Sequence, residues 1–199
     1  HLQRVTGEDR YAREAIDYAG HLLKCQERSF PDGIPLTGFF YTSPEKLAIV
    51  NHRHGAFEES PLLALASLCE TFPDHENWIE WYGAAFLYSE YLSKRGAEFT
   101  EPYRVLPAAV FRKSDILNVP EAETREAMLR QFLEGTRLSD GYYLRKFPIW
   151  STRSHHGNVS VGLSQTLALA SAARLRSDPP SEDLAARQIQ WLLGGNPFS

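Results

Sequence analysis

One ten-residue stretch, residues 51–60, combines two histidines, an arginine and two glutamates directly ahead of an apolar segment. Glu58 or Glu59 could act as a general acid or base if burial raised its pKa, and His52 could serve as a base. Arg53 and His54 could hydrogen-bond the hydroxyl groups of a polar substrate. The alternative is structural, with glutamates at the positive end of a helix and histidines on loop carbonyls. We favour a site because three titratable side-chain types converge where a cap needs one.

A second candidate site precedes another apolar segment, in residues 150–158. It combines an aromatic side chain, Trp150, with Arg153, His155 and His156. Binding clefts for sugars use this mixture, because the C–H faces of a sugar stack on aromatic rings while its hydroxyls need planar donors and acceptors. The competing interpretation is the capped start of a helix with solvated histidines.

Three further residues are weaker candidates for substrate binding. Tyr103 lies in a long connection between predicted helices, where it could line a groove. Asp140 and Tyr143 belong to an Asp-Gly-Tyr-Tyr run that places a carboxylate beside two tyrosines. Asp-Gly is first of all a turn dipeptide, so a structural role is the simpler explanation for Asp140.

Metal ions and disulfides find little support in the sequence. His52 and His54 could bind a metal together with a carboxylate, but His-x-His followed by Glu is common by chance. No cysteine spacing suits zinc, and no dense Asp/Asn loop suits calcium. Cys25 and Cys69 each lie among leucines in a helical pattern, which predicts unpaired core thiols. We therefore expect no metal and no cofactor.

Composition and charge restrict the class of protein. The chain has 199 residues, of which 43% are hydrophobic and 23% charged, as in ordinary globular domains. Its net charge is −4 and it has no Lys/Arg cluster, so nucleic acid is a poor candidate partner. We find no apolar run near the ~20 residues that cross a bilayer and no apolar signal-peptide core, so we expect no membrane partner.

The spacing of apolar residues predicts six helices joined by three long connections. The predicted helices cover residues 8–28, 58–71, 75–95, 120–136, 158–175 and 181–193, and the long connections cover residues 31–57, 97–119 and 138–157. Residues 39–42 could form a short strand or an aromatic loop. In the third helix, Trp78, Trp81 and Tyr82 share one face and are expected to be buried.

This succession predicts an all-α fold, an (α/α) toroid of helical hairpins or part of one. A plain helical bundle would have the same helices but mostly short connections. In a toroid of hairpins the long connections would gather at one end and build a groove. We expect residues 1–199 to form a single helical domain or the larger part of one, within a longer chain.

The end of the chain resembles a known family. Residues 188–197 run Gln-Ile-Gln-Trp-Leu-Leu-Gly-Gly-Asn-Pro, which resembles a helix end in glycoside hydrolase family 9 and its six-hairpin relatives. Residues 158–175 resemble the helix of small residues that packs before that helix end. The resemblance implies a six-hairpin toroid that hydrolyses glycosidic bonds with inversion.

The family's catalytic residues have no counterparts in this chain. In family 9 an Asp-Ala-Gly-Asp segment supplies the base, and a glutamate well beyond the Asn-Pro turn supplies the acid. This chain has no Asp-Ala-Gly-Asp segment and ends before that glutamate. Only the scaffold positions Leu193, Gly194, Asn196 and Pro197 match.

The sequence thus predicts a carbohydrate-active enzyme, a glycoside hydrolase that acts on a polysaccharide or oligosaccharide by acid/base catalysis. A uronate lyase or sugar epimerase on the same scaffold is one alternative, since it would use a His or Tyr base and an arginine that neutralises the uronate. A non-catalytic carbohydrate-binding or interaction module is the other. Fold alone does not decide between them, and the oligomeric state and compartment stay open.

Overall fold

The computed structural model describes residues 2–50, 60–145 and 158–195, and their architecture is mainly helical. The helices are α1 (Leu2–Thr6), α2 (Asp9–Lys24), α3 (Ser60–Thr71), α4 (Trp78–Phe99), α5 (Lys113–Leu117), α6 (Ala122–Leu133), α7 (Asn158–Arg176) and α8 (Pro179–Gln190). A π-helical turn, Trp191–Gly195, extends α8. The mainly helical class is as predicted, while closure into a toroid stays a prediction.

Helices α3 and α4 form the first helical hairpin of the core. Pro73 follows the end of α3, where it blocks continuation of the helix. The indole Nε1 of Trp78 donates to the carbonyl of Cys69 at 3.1 Å, which ties the start of α4 to the end of α3. Trp81 is buried, and Trp78 and Tyr82 pack partly buried against the core, so the predicted aromatic face is confirmed.

Helices α7 and α8 form a second hairpin, and the start of α8 corrects the sequence prediction. The sequence predicts a helix that starts at residue 181, but α8 begins two residues earlier, at Pro179. Proline suits the first helical turn because its missing N–H has no helical partner there anyway. The Ser181 hydroxyl instead donates to the Asp178 carboxylate at 2.8 Å from inside the helix.

The two hairpins pack against each other through α3, α4 and α7, and α2 packs on α3 and α4. The inner side of α7 consists mostly of small or aliphatic residues, among them Ala168 and Ala172, which are fully buried. Arg174 of α7 pairs with Glu70 of α3, and Arg176 pairs with Glu90 of α4. The C-terminal ends of α3 and α7 therefore lie side by side.

A small antiparallel sheet, which the sequence did not predict, accompanies the mainly helical fold. Strands β1 (Ala109–Arg112), β2 (Thr136–Arg137) and β3 (Tyr142–Arg145) pair in the order β1-β3-β2. The long connections predicted at 97–119 and 138–157 thus contain strands, and the predicted helix at 120–136 ends at Leu133. The strands escape a pattern search because β2 has only two residues, while β1 and β3 have four each and are largely buried on both faces, without polar alternation.

The two faces of the sheet pack on different parts of the chain. Val110 and Leu144 belong to the main helical core. Ala109 and Phe111 form a separate cluster with Phe132 of α6. The sheet therefore joins α6 to the helical hairpins.

The connection after α2 folds back against α4. Residues 39–42, predicted as a strand or an aromatic loop, contribute two isolated bridges, Gln26 with Phe40 and Tyr41 with Ile49. Gly38 has a φ of +100°, and its backbone lies directly against the backbone of Leu87 in α4. This approach is open to glycine because it has no Cβ.

Both cysteine thiols are free, as the sequence predicted. Burial raises the pKa of Cys69 to about 11, so its thiol is protonated near neutral pH. None of the helices in the described part of the chain combines the length and apolarity that a membrane span requires.

We expect the Gly38→Ala variant to be destabilised by about 2–5 kcal/mol, because the new methyl group would collide with the Leu87 carbonyl at a positive φ. The matched control is Gly33→Ala, which has a φ of +69° but open space around the added carbon, and should lose about 1–2 kcal/mol. Urea unfolding of both variants checks this. Equal losses would show that the close approach to α4 has no energetic weight.

Candidate functional site

Nine of the predicted site residues lie outside the described residues, so their roles stay predictions. They are His52, Arg53, His54, Glu58, Glu59, Trp150, Arg153, His155 and His156. The described chain nevertheless defines where their two segments attach. One segment joins Val50 to α3 and the other joins Arg145 to α7, and α3 packs against α7.

Tyr103 lies on an irregular turn between α4 and β1 and is 54% exposed. The turn is held to α8 by Gln188, whose amide donates to the Arg104 carbonyl at 2.9 Å and accepts from the Leu106 amide at 3.0 Å. On α7, Gln165 donates to the Ala108 carbonyl at 2.7 Å. Two buried glutamines thus fix the backbone that carries Tyr103.

Asp140 and Tyr143 share the hairpin that joins β2 and β3. Asp140 lies in its turn, 92% exposed, and pairs with Arg137, which agrees with the structural interpretation of the Asp-Gly pair. Tyr143 is half-buried, with its ring centroid 4.3 Å from that of Phe132. Tyr103, in contrast, precedes β1 in the chain, and the turn that carries it is held to α8.

A buried carboxylate, Glu27, organises the connection between α2 and α3. Its side chain is 2% exposed and accepts hydrogen bonds from Tyr41 at 2.7 Å and Lys46 at 2.9 Å. Ser29 donates both its amide and its hydroxyl to the other oxygen. Burial alone would raise the pKa of Glu27, but these hydrogen bonds outweigh it and lower the pKa to about 2.

A second buried carboxylate, Asp115, joins that connection to the sheet. One oxygen accepts from the Arg112 guanidinium at 2.7 and 2.8 Å, and the other accepts from the Ile49 amide at 3.0 Å. Arg112 also donates to the carbonyls of Lys46 and Leu47. Although burial lowers the pKa of Arg112, the hydrogen bond and charge of Asp115 outweigh it and raise the pKa.

These two carboxylates stabilise the fold rather than transfer protons. Glu27 has a pKa too low to hold a proton near neutral pH, so it cannot be a general acid. Both oxygens of Asp115 are occupied by donors from the protein. Burial and the hydrogen bond to Glu27 also raise the pKa of Tyr41, which keeps its hydroxyl a donor.

We call the described parts of the three long connections, residues 25–50, 100–112 and 134–145, the loop layer. Its first part is tied to the second by Arg112 and Asp115, and its second to the third by the pairing of β1 with β3. Both candidate segments follow from this layer, at Val50 and at Arg145.

Sequence reasoning missed the residues that hold this layer together. Arg112 and Asp115 stand three residues apart, and Gln165 and Gln188 occupy positions of helical core spacing. A polar residue within an apolar helical stripe is a usable signal for a buried hydrogen bond. The sequence does not show which group such a residue bonds, because the partners of Gln188 in the loop layer lie more than 80 positions away in the chain.

An apolar groove of about 870 Å³ lies between α1, α2 and α3. Tyr11, Tyr18, Leu63 and Phe72 are among the side chains that line it. Among the residues whose placement is described, no group of three His, Cys, Asp or Glu side chains is arranged to hold a metal ion.

We compared the chain with protein-family models, with curated proteins and with solved structures, and found no match in any of the three.

The Glu27→Gln variant should lose about 3 kcal/mol of folding free energy at neutral pH, since the native pKa lies about two units below the unfolded one. This contribution is complete above the unfolded pKa of about 4.3 and vanishes as the pH falls towards 2, so the two proteins should converge in acid. Denaturant unfolding from pH 7 to pH 2 measures the difference. Glu80→Gln, an exposed partner of Arg28, is the control and should change little.

Gln188→Leu should destabilise the chain by about 2–4 kcal/mol, because the buried Leu106 amide and the Arg104 carbonyl lose their partner. Hydrogen exchange should accelerate at Leu106 in this variant. The control is Gln190→Leu, an exposed position two residues later. Unchanged exchange at Leu106 would contradict the anchoring role of Gln188.

Proposed function

We propose that this chain belongs to a carbohydrate-active enzyme, a glycoside hydrolase that cleaves a polysaccharide or oligosaccharide by acid/base catalysis. The proposed scaffold is a toroid of helical hairpins, to which α3–α4 and α7–α8 contribute. Glu58 and Glu59 are the proposed acid/base candidates, with His52 beside them. The other candidates, Tyr103 included, would bind the sugar.

The main support is the convergence of the long connections in one loop layer. Arg112 bridges to the carbonyls of Lys46 and Leu47, and β1 pairs with β3, so chain segments distant in sequence meet on one side. Both predicted site segments leave this layer, after Val50 and after Arg145. A groove built from long connections at one end of a helical scaffold is where such proteins bind ligands.

The chemistry requires carboxyl groups other than those buried in the loop layer. Glu27 is locked as an anion by four hydrogen bonds, and Asp115 is occupied by Arg112 and Ile49. Hydrolysis with inversion needs an acid and a base whose carboxyl groups lie about 6.5–9.5 Å apart. Glu58 and Glu59 are the sequence candidates left for one of these roles.

A uronate lyase or epimerase is the second candidate, and one observation favours it. Tyr143 and Arg145 lie on the same face of β3, two residues apart. A lyase would use a tyrosine or histidine as base and an arginine to neutralise the uronate carboxylate. The same pair of side-chain types occurs in this strand.

Glu58→Gln and Glu59→Gln test the hydrolase proposal separately. We expect one of them to lower the rate of reducing-sugar release from a panel of plant and bacterial glycans by about 10²–10⁴-fold, the usual contribution of a general acid or base. Glu182→Gln, an exposed glutamate in the first turn of α8, is the control and should retain full activity.

The same assay separates the rival functions. Unsaturated products, detected by their ultraviolet absorbance, would indicate a lyase and contradict hydrolysis. Glycan binding without any cleavage would favour a non-catalytic module. Full activity in both glutamine variants would remove Glu58 and Glu59 from the mechanism.

A further inference from the structure

Arg145, the last residue of β3, is a buried arginine. The residue is 5% exposed. Its register places it opposite Ala109, on the sheet face that also carries Phe111 and Tyr143. Within residues 2–50, 60–145 and 158–195, no carboxylate pairs with Arg145, and burial alone lowers its pKa to about 10.

Arg112, a partly buried arginine of β1, shows what a structural arginine has in this sheet. Arg112 donates to Asp115 and to two backbone carbonyls, so its charge is balanced and its donors are used. Arg145 has an aromatic ring as its described contact, with the guanidinium carbon 5.2 Å from the Phe111 centroid. The two arginines lie on opposite faces of the same small sheet.

A ring contact does not balance a buried charge. Cation–π contacts contribute roughly 0.5–2 kcal/mol, whereas removing a charged group from water costs several kcal/mol even after the protein relaxes. Buried charges in proteins are therefore paired with a counter-charge. An arginine kept in this state is suited to receive an anion from outside the protein.

We propose that Arg145 binds the carboxylate of an acidic saccharide, so that the substrate class of this protein is a uronic acid-containing glycan. The planar guanidinium matches a carboxylate with two parallel hydrogen bonds. Tyr143 lies half-buried on the same face of β3, two residues from Arg145. The choice of a sugar acid rests on the proposed function, whereas the anion subsite itself rests on the burial and surroundings of Arg145.

Binding of trigalacturonate, a glucuronate-containing trisaccharide and inorganic phosphate tests the proposal, with the methyl esters of the two saccharides as uncharged counterparts. Isothermal titration of the wild-type chain should detect an acidic saccharide and a much weaker response to its ester. Arg145→Met should raise its Kd by about 10–100-fold, the value of a charge-assisted pair. Arg137→Met, an exposed arginine that pairs with Asp140, should bind as the wild type does.

Stability without ligand gives an independent readout. Arg145→Met should unfold at a midpoint no lower than that of the wild type, because it removes a buried charge that no carboxylate of the described residues balances. A large fall in the midpoint, or a failure to fold, would mean that Arg145 has a partner within the protein and would overturn the proposal. The comparison of acid with ester in the wild type does not depend on the variant folding.

The outcomes separate this proposal from the proposed function. Equal binding of acid and ester, or no binding of either saccharide, overturns the assignment to uronates even if glutamate-dependent hydrolysis of neutral glycans is found. Phosphate binding that depends on Arg145, without saccharide binding, also overturns it and leaves a site for a free oxyanion. Acidic saccharides that bind through Arg145 support it even where neither Glu58 nor Glu59 affects cleavage.

Discussion

The burial of two carboxylates is the constraint on which the loop layer depends. A buried carboxylate is tolerated only when its oxygens accept hydrogen bonds, so the segments that supply the donors are held in place around it. Glu27 takes its donors from Ser29, Tyr41 and Lys46, and Asp115 takes its donors from Arg112 and Ile49. Satisfying these oxygens forces the connection after α2, the sheet and α5 into one arrangement.

The same principle joins the loop layer to the helices. Gln165 of α7 and Gln188 of α8 are buried in the helical core. The side-chain amide of each forms hydrogen bonds with the backbone between α4 and β1. These helices therefore do more than fill the core, because they hold in place a connection that would otherwise expose unpaired backbone groups to an apolar surface.

Against this background of satisfied polar groups, Arg145 differs. The carboxylates and glutamines named above find their partners inside the described protein, and Arg112 shows that the sheet can supply an arginine with a carboxylate and two carbonyls. Among the described residues Arg145 has neither a carboxylate nor a carbonyl partner, and it ends the strand that leads into a predicted binding segment. This is why we propose a ligand-binding role for Arg145 rather than a structural one. The four-residue strand β3 therefore carries both a structural contact to β1 and the proposed ligand-binding arginine.

The sequence by itself determined the helices of the two hairpins and the burial of Trp81. Apolar spacing within a helix is a local pattern, so it identifies the buried face before the packing partner is known. It also identified the Asp140 turn and the unpaired cysteines. The sheet, α5 and the anchoring roles of Glu27, Asp115, Gln165 and Gln188 were decided by the tertiary structure. The strands are too short for a period of two to show, and β1 and β3 are also buried on both faces. A buried polar side chain is recognisable in sequence, but its partner is not: Asp115 and Ile49 are 66 residues apart, and only the folded chain brings them within 3.0 Å.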